Sequence, residues 1–301
     1  LKRWVWIALA VVALGFGAAA YLVLKARAER VVLTLVPGRS VWEATDTIDK
    51  AFPGTRQGVL KRVADKSWAT MQGLPMAEGR AVAGRADGVQ ATWLEGFVYP
   101  ETYFIAAGGS PEEIVDDVLG RATRQFKKVF GELQQSHAPA FAALQSELGL
   151  GPAEVVVLAS LVEEETARRD EAPRIAGVFL NRLKKGMRLE TDPTLMYRPD
   201  RVGRKPTPSE RRDASNPYNT YVIQRLPPGP ICSPGEGALR AVLEAEVHDY
   251  LFFVAKRDGT GGSAFAATLE EHQANIDRYL KKLPATPPAE VVDPRPNAPG
   301  P

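Results

Sequence analysis

The polar and apolar positions along the chain change period several times. Trp4 to Leu24 (WVWIALAVVALGFGAAAYLVL) runs 21 residues without a charge, close to the ~20 residues a helix needs to cross a bilayer. Lys2 and Arg3 precede it, and Trp4 and Trp6 sit where an interfacial belt would be. An uncleaved single-pass anchor is expected. A cleaved signal peptide ending near Ala18-Ala19-Ala20 is the alternative. Val31 to Phe52 then reads strand, turn, helix. VVLTLV is β-rich, Pro37-Gly38 marks the turn, and Ser40 with Glu43 forms a capping box. One such unit is too small to stand alone, so it should pack on something else. Thr55 to Ala91 starts helical and turns into Gly, Arg and Ala with little periodicity.

Helical periodicity dominates the next hundred residues. Ser110-Pro111-Glu112-Glu113 opens a helix that runs to about Phe130. A shorter one covers about Pro139 to Leu148. The strongest run is Pro152 to about Arg169, followed by about Ala172 to Lys185. Arg188 to Pro234 carries nine prolines and reads as a long loop, a feature that is usually functional or disordered. Ala238 to Glu246 is helical. Asp249 to Lys256 and Ser263 to Ala266 read as a hairpin around Asp258-Gly259, and Thr268 with Glu271 caps a last helix ending near Lys282. Leu283 to Pro301 holds seven of the 24 prolines and reads as a disordered tail.

The expected class is therefore α+β. An amino-terminal transmembrane helix and its flanks occupy 1–30, and a small strand-turn-helix module with its connector occupies 31–92. A mainly helical domain with a long loop region and a β-hairpin fills 93–282, and the Pro-rich tail takes 283–301.

Composition narrows the chemistry. A net charge of +2 over 301 residues gives no general pull toward nucleic acid. One cysteine, Cys232, cannot form an internal disulfide, and three isolated histidines do not make a zinc set. No metal and no cofactor are expected. Any chemistry must rest on carboxylates, hydroxyls, amides or Lys/Arg.

Three adjacent acids end the strongest helix, in Val155 to Thr166 (VVVLASLVEEET). At ~100° per residue the apolar side points near Val162. On that wheel Glu165 lies roughly 50° from the apolar direction, Glu163 about 105°, and Glu164 about 155°. Glu165 is thus the carboxyl most exposed to desolvation, which raises a carboxyl pKa and suits a proton donor. The alternative is a helix-end charge cluster paired with Arg168 and Arg169, and the helix pattern alone favours it. The downstream loop shifts the balance. Gly186 to Thr194 and Asn219-Thr220-Tyr221 are dense in hydrogen-bonding groups, and Tyr197, Tyr218 and Tyr221 offer aromatic faces. Rings beside Asn, Thr and Asp suit sugars. For any single residue, side-chain to backbone bonds within the loop are the competing role. The basic residues Arg198, Arg201, Arg204, Lys205, Arg211 and Arg212 could meet an anionic polymer or form a solvated loop.

These blocks resemble a known family. Leu158 to Thr166, Val178 to Leu183, Gly186 to Thr194, Tyr218 to Tyr221 and Leu226 to Ile231 look like the signature segments of the endolytic murein transglycosylases, the MltG or YceG-like family. Leu94 to Tyr103 and Tyr250 to Ala255 fit the same pattern, so the resemblance covers about Trp93 to Leu280 in order. It implies a single-pass protein of the bacterial inner membrane with an extracytoplasmic body. The implied activity is endolytic cleavage of nascent peptidoglycan strands between MurNAc and GlcNAc, leaving 1,6-anhydroMurNAc ends. The partners implied are glycan strands, the cytoplasmic membrane and, as candidates, peptidoglycan synthases. The catalytic residue carried over is the second acid of a Glu-x-Glu-Thr block, Glu165. Glu163, Asp192, Asn219 and Tyr221 are the candidates for holding substrate. The family has a LysM-like module with two strand-turn-helix units; here only Val31 to Phe52 and its sequel are legible, a shortened version. A hydrolytic muramidase with Glu165 as acid and Asp192 or Glu163 as second carboxylate is one alternative. A non-catalytic peptidoglycan-binding membrane protein is another.

Overall fold

The computed structural model describes residues 30–76, 92–200 and 205–281. The expected anchor at Trp4 to Leu24 and the Pro-rich tail lie outside these residues, as do Arg201 and Arg204. Among the described residues, no single helix is long and apolar enough to cross a membrane.

The described residues are mostly helical, with two small antiparallel sheets among them. Strand β1 (Arg30–Thr34) leads through the Pro37-Gly38 turn into helix α1 (Val41–Ala51). Ser40 caps α1: its hydroxyl accepts from the Glu43 amide, and the Glu43 carboxylate accepts from the Ser40 amide. Two short helices follow, α2 (Arg56–Val63) and α3 (Lys66–Met71). Strand β2 (Thr102–Ala106) then pairs with β1, with Leu33 opposite Tyr103. The inward residues Leu33, Tyr103 and Ile105 are buried, and their neighbours along each strand are exposed. β2 packs on helix α4 (Pro111–Ser136). The strand-turn-helix unit thus completes its sheet with a strand from beyond the connector.

Helix α4 opens at the expected Ser110/Glu113 box and runs past Phe130 to Ser136. Its buried stripe of Ile114, Val118, Ala122, Phe126, Val129 and Leu133 keeps helical spacing to the end. Helix α5 (Ala138–Leu148) follows, closed by Gly149. Helix α6 (Pro152–Glu165) is the centre of the fold. All eight residues from Val155 to Val162 are buried, the mark of a helix enclosed on every side. Helix α7 (Ala172–Lys184) packs against it. Among its described residues the long loop holds the short helix α8 (Asp192–Met196) and a turn of 3-10 helix, Glu210–Arg212, before helix α9 (Glu236–Leu243), which packs on both α6 and α7. Strands β3 (Phe252–Ala255) and β4 (Ser263–Ala266) form the expected hairpin, with Phe253 opposite Phe265. Helix α10 (Leu269–Ile276) closes the described chain and continues as a turn of π-helix, Asp277–Lys281.

Several contacts tie the amino-terminal unit to the rest of the molecule. Arg39 forms an antiparallel bridge with Ser233. Glu95, fully buried, accepts from the Val41 amide with both oxygens, at 3.2 and 3.1 Å. That places a carboxylate at the positive end of α1. Gly96 follows with φ +85°, and a Cβ there would sit 2.5 Å from the Pro230 ring. The Leu226 to Ile231 loop is pressed against this turn.

Glu95→Ala should lower unfolding free energy by about 1.5–3 kcal/mol, the usual range for a hydrogen bond to a charged group. Denaturant unfolding of the purified chain measures it. A loss under about 0.5 kcal/mol, the lower edge for an ordinary hydrogen bond, would remove Glu95 as the tie between the two parts.

Candidate active site

The last turn of α6 carries Glu163, Glu164 and Glu165, and no basic residue is present there. Three carboxylates at the negative end of a helix dipole oppose the usual preference for cations. Thr166 ends the helix, its hydroxyl donating to the Val162 carbonyl at 2.6 Å. The three acids then diverge. Glu164 is exposed; Glu163 and Glu165 are partly buried. This is the order of exposure that the helical wheel gives for Glu164.

Glu163 turns toward the start of α9 and accepts from the Gly235 amide at 3.0 Å. Arg168 forms its ion pair with Asp170, at 2.6 Å. Glu165 turns toward the long loop, where the Thr191 hydroxyl donates to Oε1 at 2.6 Å. Burial pushes the Glu165 carboxyl above the ordinary range. The Thr191 bond pulls the other way, the Asp192 charge pushes up, and Arg182 pulls down. Burial is the largest of these effects, so Glu165 keeps a proton to higher pH than a free carboxyl.

Thr191 is itself fixed. Its amide donates to the Thr220 hydroxyl at 3.0 Å, and the Thr194 hydroxyl donates to its carbonyl at 2.8 Å. All three threonines are buried. The preceding Glu190 has φ +52°, the one non-glycine residue in that region among the described residues. Arg182 holds this turn from below. Its Nη1 donates to the Leu189 carbonyl at 2.9 Å and its Nε to the Leu251 carbonyl at 2.6 Å. Neither Thr191 nor Arg182 is singled out by the sequence pattern. Arg182 could have been: it lies on the buried face of α7, four residues after Val178.

Asp192 opens α8 and is held by two partners. Arg211 binds both oxygens, at 3.1 and 2.9 Å, and the Tyr221 phenol donates at 2.7 Å. Burial, then the Asp192 bond, pushes the Tyr221 phenol up, so it stays a donor. Asp192 and Tyr221 therefore stand together, close enough to Glu165 for its charge and theirs to act on one another.

Asn219 departs from the expectation. It is fully buried, and its amide nitrogen donates to the carbonyls of Glu210, Arg211 and Asp213. Its oxygen accepts from the Tyr221 amide at 3.0 Å. Asn219 shapes the loop that carries Tyr221 and Arg211 and does not itself face a ligand. Tyr218 is likewise buried, with its ring 4.7 Å from that of Tyr197. Tyr197 is covered in turn by Trp42 of α1, at 4.8 Å. The accessible ring above this stack belongs to Trp42.

A cleft of about 680 Å³ opens alongside, between α1 and the long loop. Trp42, Glu164, Asp192 and Arg211 are among its walls. Gly38, at φ +74°, lies against the acidic turn: a Cβ there would stand 3.1 Å from the Glu164 carboxylate. The amino-terminal unit is thus one wall of the cleft. As chemistry, the site offers one partly buried carboxyl able to give and take a proton, and beside it a second carboxylate engaged by Arg and Tyr.

Comparison with known proteins adds to this geometry. The model of the YceG-like family matches residues 17–278. A protein of Bacillus subtilis (strain 168) named endolytic murein transglycosylase is 32% identical over 191 residues, which is 62% of this chain and 48% of its own length. A protein of the same name from Streptococcus pneumoniae serotype 2 (strain D39 / NCTC 7466) is 30% identical over 192 residues, 62% of this chain and 32% of its own. The chain thus spans between a third and a half of these relatives. A crystal structure of a YceG-like protein from Listeria monocytogenes superposes with a TM-score of 0.64 at 29% identity, covering 81% of this chain and 75% of that one.

Thr191→Val removes the donor that favours the charged form of Glu165. The Glu165 carboxyl should then titrate at higher pH, and Thr191→Ser should restore the parent value. Carboxyl NMR titration checks this. No movement in the valine variant would mean that the bond does not form in solution.

Proposed function

Because this chain belongs to the YceG-like family, we propose that it is a lytic transglycosylase of peptidoglycan, with Glu165 as its single acid–base residue. The observation that carries this reading is the Glu165 carboxyl, partly buried, raised in pKa and oriented by Thr191. The names of the relatives point to the same substrate.

One carboxyl is enough for a lytic reaction. Glu165, protonated, gives its proton to the glycosidic oxygen as the bond from MurNAc C1 to that oxygen breaks. The departing GlcNAc end leaves as an alcohol. Glu165, now a carboxylate, takes the proton of the MurNAc 6-hydroxyl, whose oxygen bonds to C1 of the same ring. The product is a 1,6-anhydroMurNAc end, and the carboxyl is restored. The attack is intramolecular and has the advantage of a positioned nucleophile. Asp192, held by Arg211 and Tyr221, supplies negative charge beside the cationic centre that develops at C1. The hydrolytic alternative has one observation in its favour: the same Asp192 is a second carboxylate near Glu165, as a muramidase needs.

The strand-turn-helix unit is read as a shortened LysM-like module built into the cleft wall. Trp4 to Leu24 is read as the anchor to the bacterial inner membrane, with the body extracytoplasmic, where nascent strands and their synthases are. Protease added to spheroplasts should then degrade the body. A body protected until lysis would reverse the topology, and release of a soluble form would favour a cleaved signal peptide.

Glu165→Gln keeps shape and a hydrogen-bonding end but cannot donate the proton. Cleavage of purified sacculi should fall by at least ~10²-fold, while Glu164→Gln, exposed, should stay near the parent rate. Mass spectrometry of the products should find anhydro ends. Reducing MurNAc ends would assign the muramidase reaction instead. A Glu165→Gln variant that keeps more than about a tenth of the parent rate would falsify the role given to this residue.

A further inference from the structure

Apolar residues scattered singly over a surface are ordinary, but two of the exposed ones here are neighbours. Val32 of β1 and Phe104 of β2 stand directly opposite each other in the register, at 58% and 56% exposure. Both lie on the outer face of a two-stranded sheet, whose inner face buries Leu33, Tyr103 and Ile105. The same outer face carries Thr34 and Thr102, whose hydroxyls share a hydrogen bond of 3.0 Å, and at its other end Arg30 opposite Ala106. An aromatic and a β-branched side chain at the centre, with short or basic side chains around them, suit an apolar support with a polar rim.

The place of β1 in the chain says what that support is. The long apolar run ends at Leu24, and β1 starts at Arg30. The backbone between them spans at most about 22 Å even when fully extended. With Trp4 to Leu24 across the bilayer, β1 begins within reach of the head groups, a layer ~5–8 Å thick on each side. Lys25, Arg27 and Arg30 against Glu29 give this stretch the sign that anionic lipids attract. Acids also flank the sheet, Glu101 next to Thr102 and Glu113 in the small cavity beside Ala106. The apolar pair and the short tether therefore decide the occupant, and charge only assists.

We propose that the outer face of the β1–β2 sheet, centred on Val32 and Phe104, rests on the lipid surface that the preceding apolar run enters. The proposal rests on the anchor reading and deepens it: the body is seated on the bilayer and does not swing on its tether. The seat also bears on the site. β1 leads through the Pro37-Gly38 turn into α1, and Gly38 and Trp42 line the cleft. A docked sheet thus fixes how that wall of the cleft stands over the membrane.

Depth-resolved fluorescence tests the contact. The full chain is reconstituted into vesicles of phosphatidylethanolamine and phosphatidylglycerol. An environment-sensitive NBD dye is attached at Thr102→Cys, which leaves Val32 and Phe104 in place. Cys232 is buried, so the parent chain treated alike gives the background. The Thr102 dye should shift to the blue, and should lose emission when the lipids carry a nitroxide near the head group. A dye at Val247→Cys, a position 99% exposed on another part of the body, should do neither. Adding Phe104→Glu should abolish both changes, Phe104→Ser should weaken them, and Phe104→Trp should keep them. Phe104 is exposed, and a melting curve verifies that each variant folds. Chains that float with the vesicles but show no quenching at Thr102 overturn the docking and leave the anchor standing. Chains that do not float overturn both. A blue shift without quenching assigns the face to a second copy of the chain, and equal quenching at Val247 means adhesion without a preferred face; either overturns the proposal. So does quenching that survives Phe104→Glu.

Discussion

A helix that is apolar on every side must be enclosed on every side. α6 meets that constraint over eight consecutive residues, from Val155 to Val162. Helices α7 and α9 cover it, and the Leu226 to Ile231 loop closes over it, with the Ile231 amide donating to the Ser160 hydroxyl at 3.1 Å. At the carboxyl end the enclosure opens. There the chain places three glutamates, where a helix built for stability would carry cations. The interior thus ends in a group of acids whose solvation is set by whatever packs next to them. One is left to solvent, one is used to hold a loop, and one is drawn under Thr191. Each fate follows from its angle around the same helix.

What draws Glu165 inward lies outside α6. The Glu190 to Thr194 turn is held by buried threonines and by the Arg182 guanidinium, which is anchored on the Leu251 carbonyl just before strand β3. Position and proton affinity of the acid are therefore set by the hairpin, the long loop and α7 together. A site assembled from such distant parts of the chain is precise only when all of them are packed.

Much of this is legible in the chain, and the limits have physical reasons. The three capping boxes at Ser40, Ser110 and Thr268 form where the residue spacing places them, because a cap is a contact between residues three apart. The hairpin at 252–266 is local in the same way. The pairing of β1 with β2 is not visible, since nothing in either strand names its partner 68 positions away. The helical wheel ranks the three acids by exposure, but a wheel sees one helix and cannot know that Thr191 arrives from another element. Asn219 is the counterpart: an amide in a polar loop looks like a ligand contact until its four bonds to neighbouring backbone are seen. The same loop chemistry serves recognition and self-support, and only burial separates them.

The crossing of β1 to β2 also sets an order of assembly. The first strand leaves the ribosome without a partner, and Leu33 and Leu35 stay uncovered until the chain has grown past Ala106. Arg39 then waits for Ser233, nearly two hundred residues on. Closing such loops costs entropy before any contact repays it, which slows folding and lengthens the life of exposed apolar segments. The amino-terminal unit therefore docks only once Ser233 has been made, although it precedes the other walls of the cleft in the chain. Until it docks, the acidic end of α6 lacks its Gly38 and Trp42 wall. A nascent chain would acquire its fold centre well before it acquires a closed site, so function waits for residues beyond Ser233.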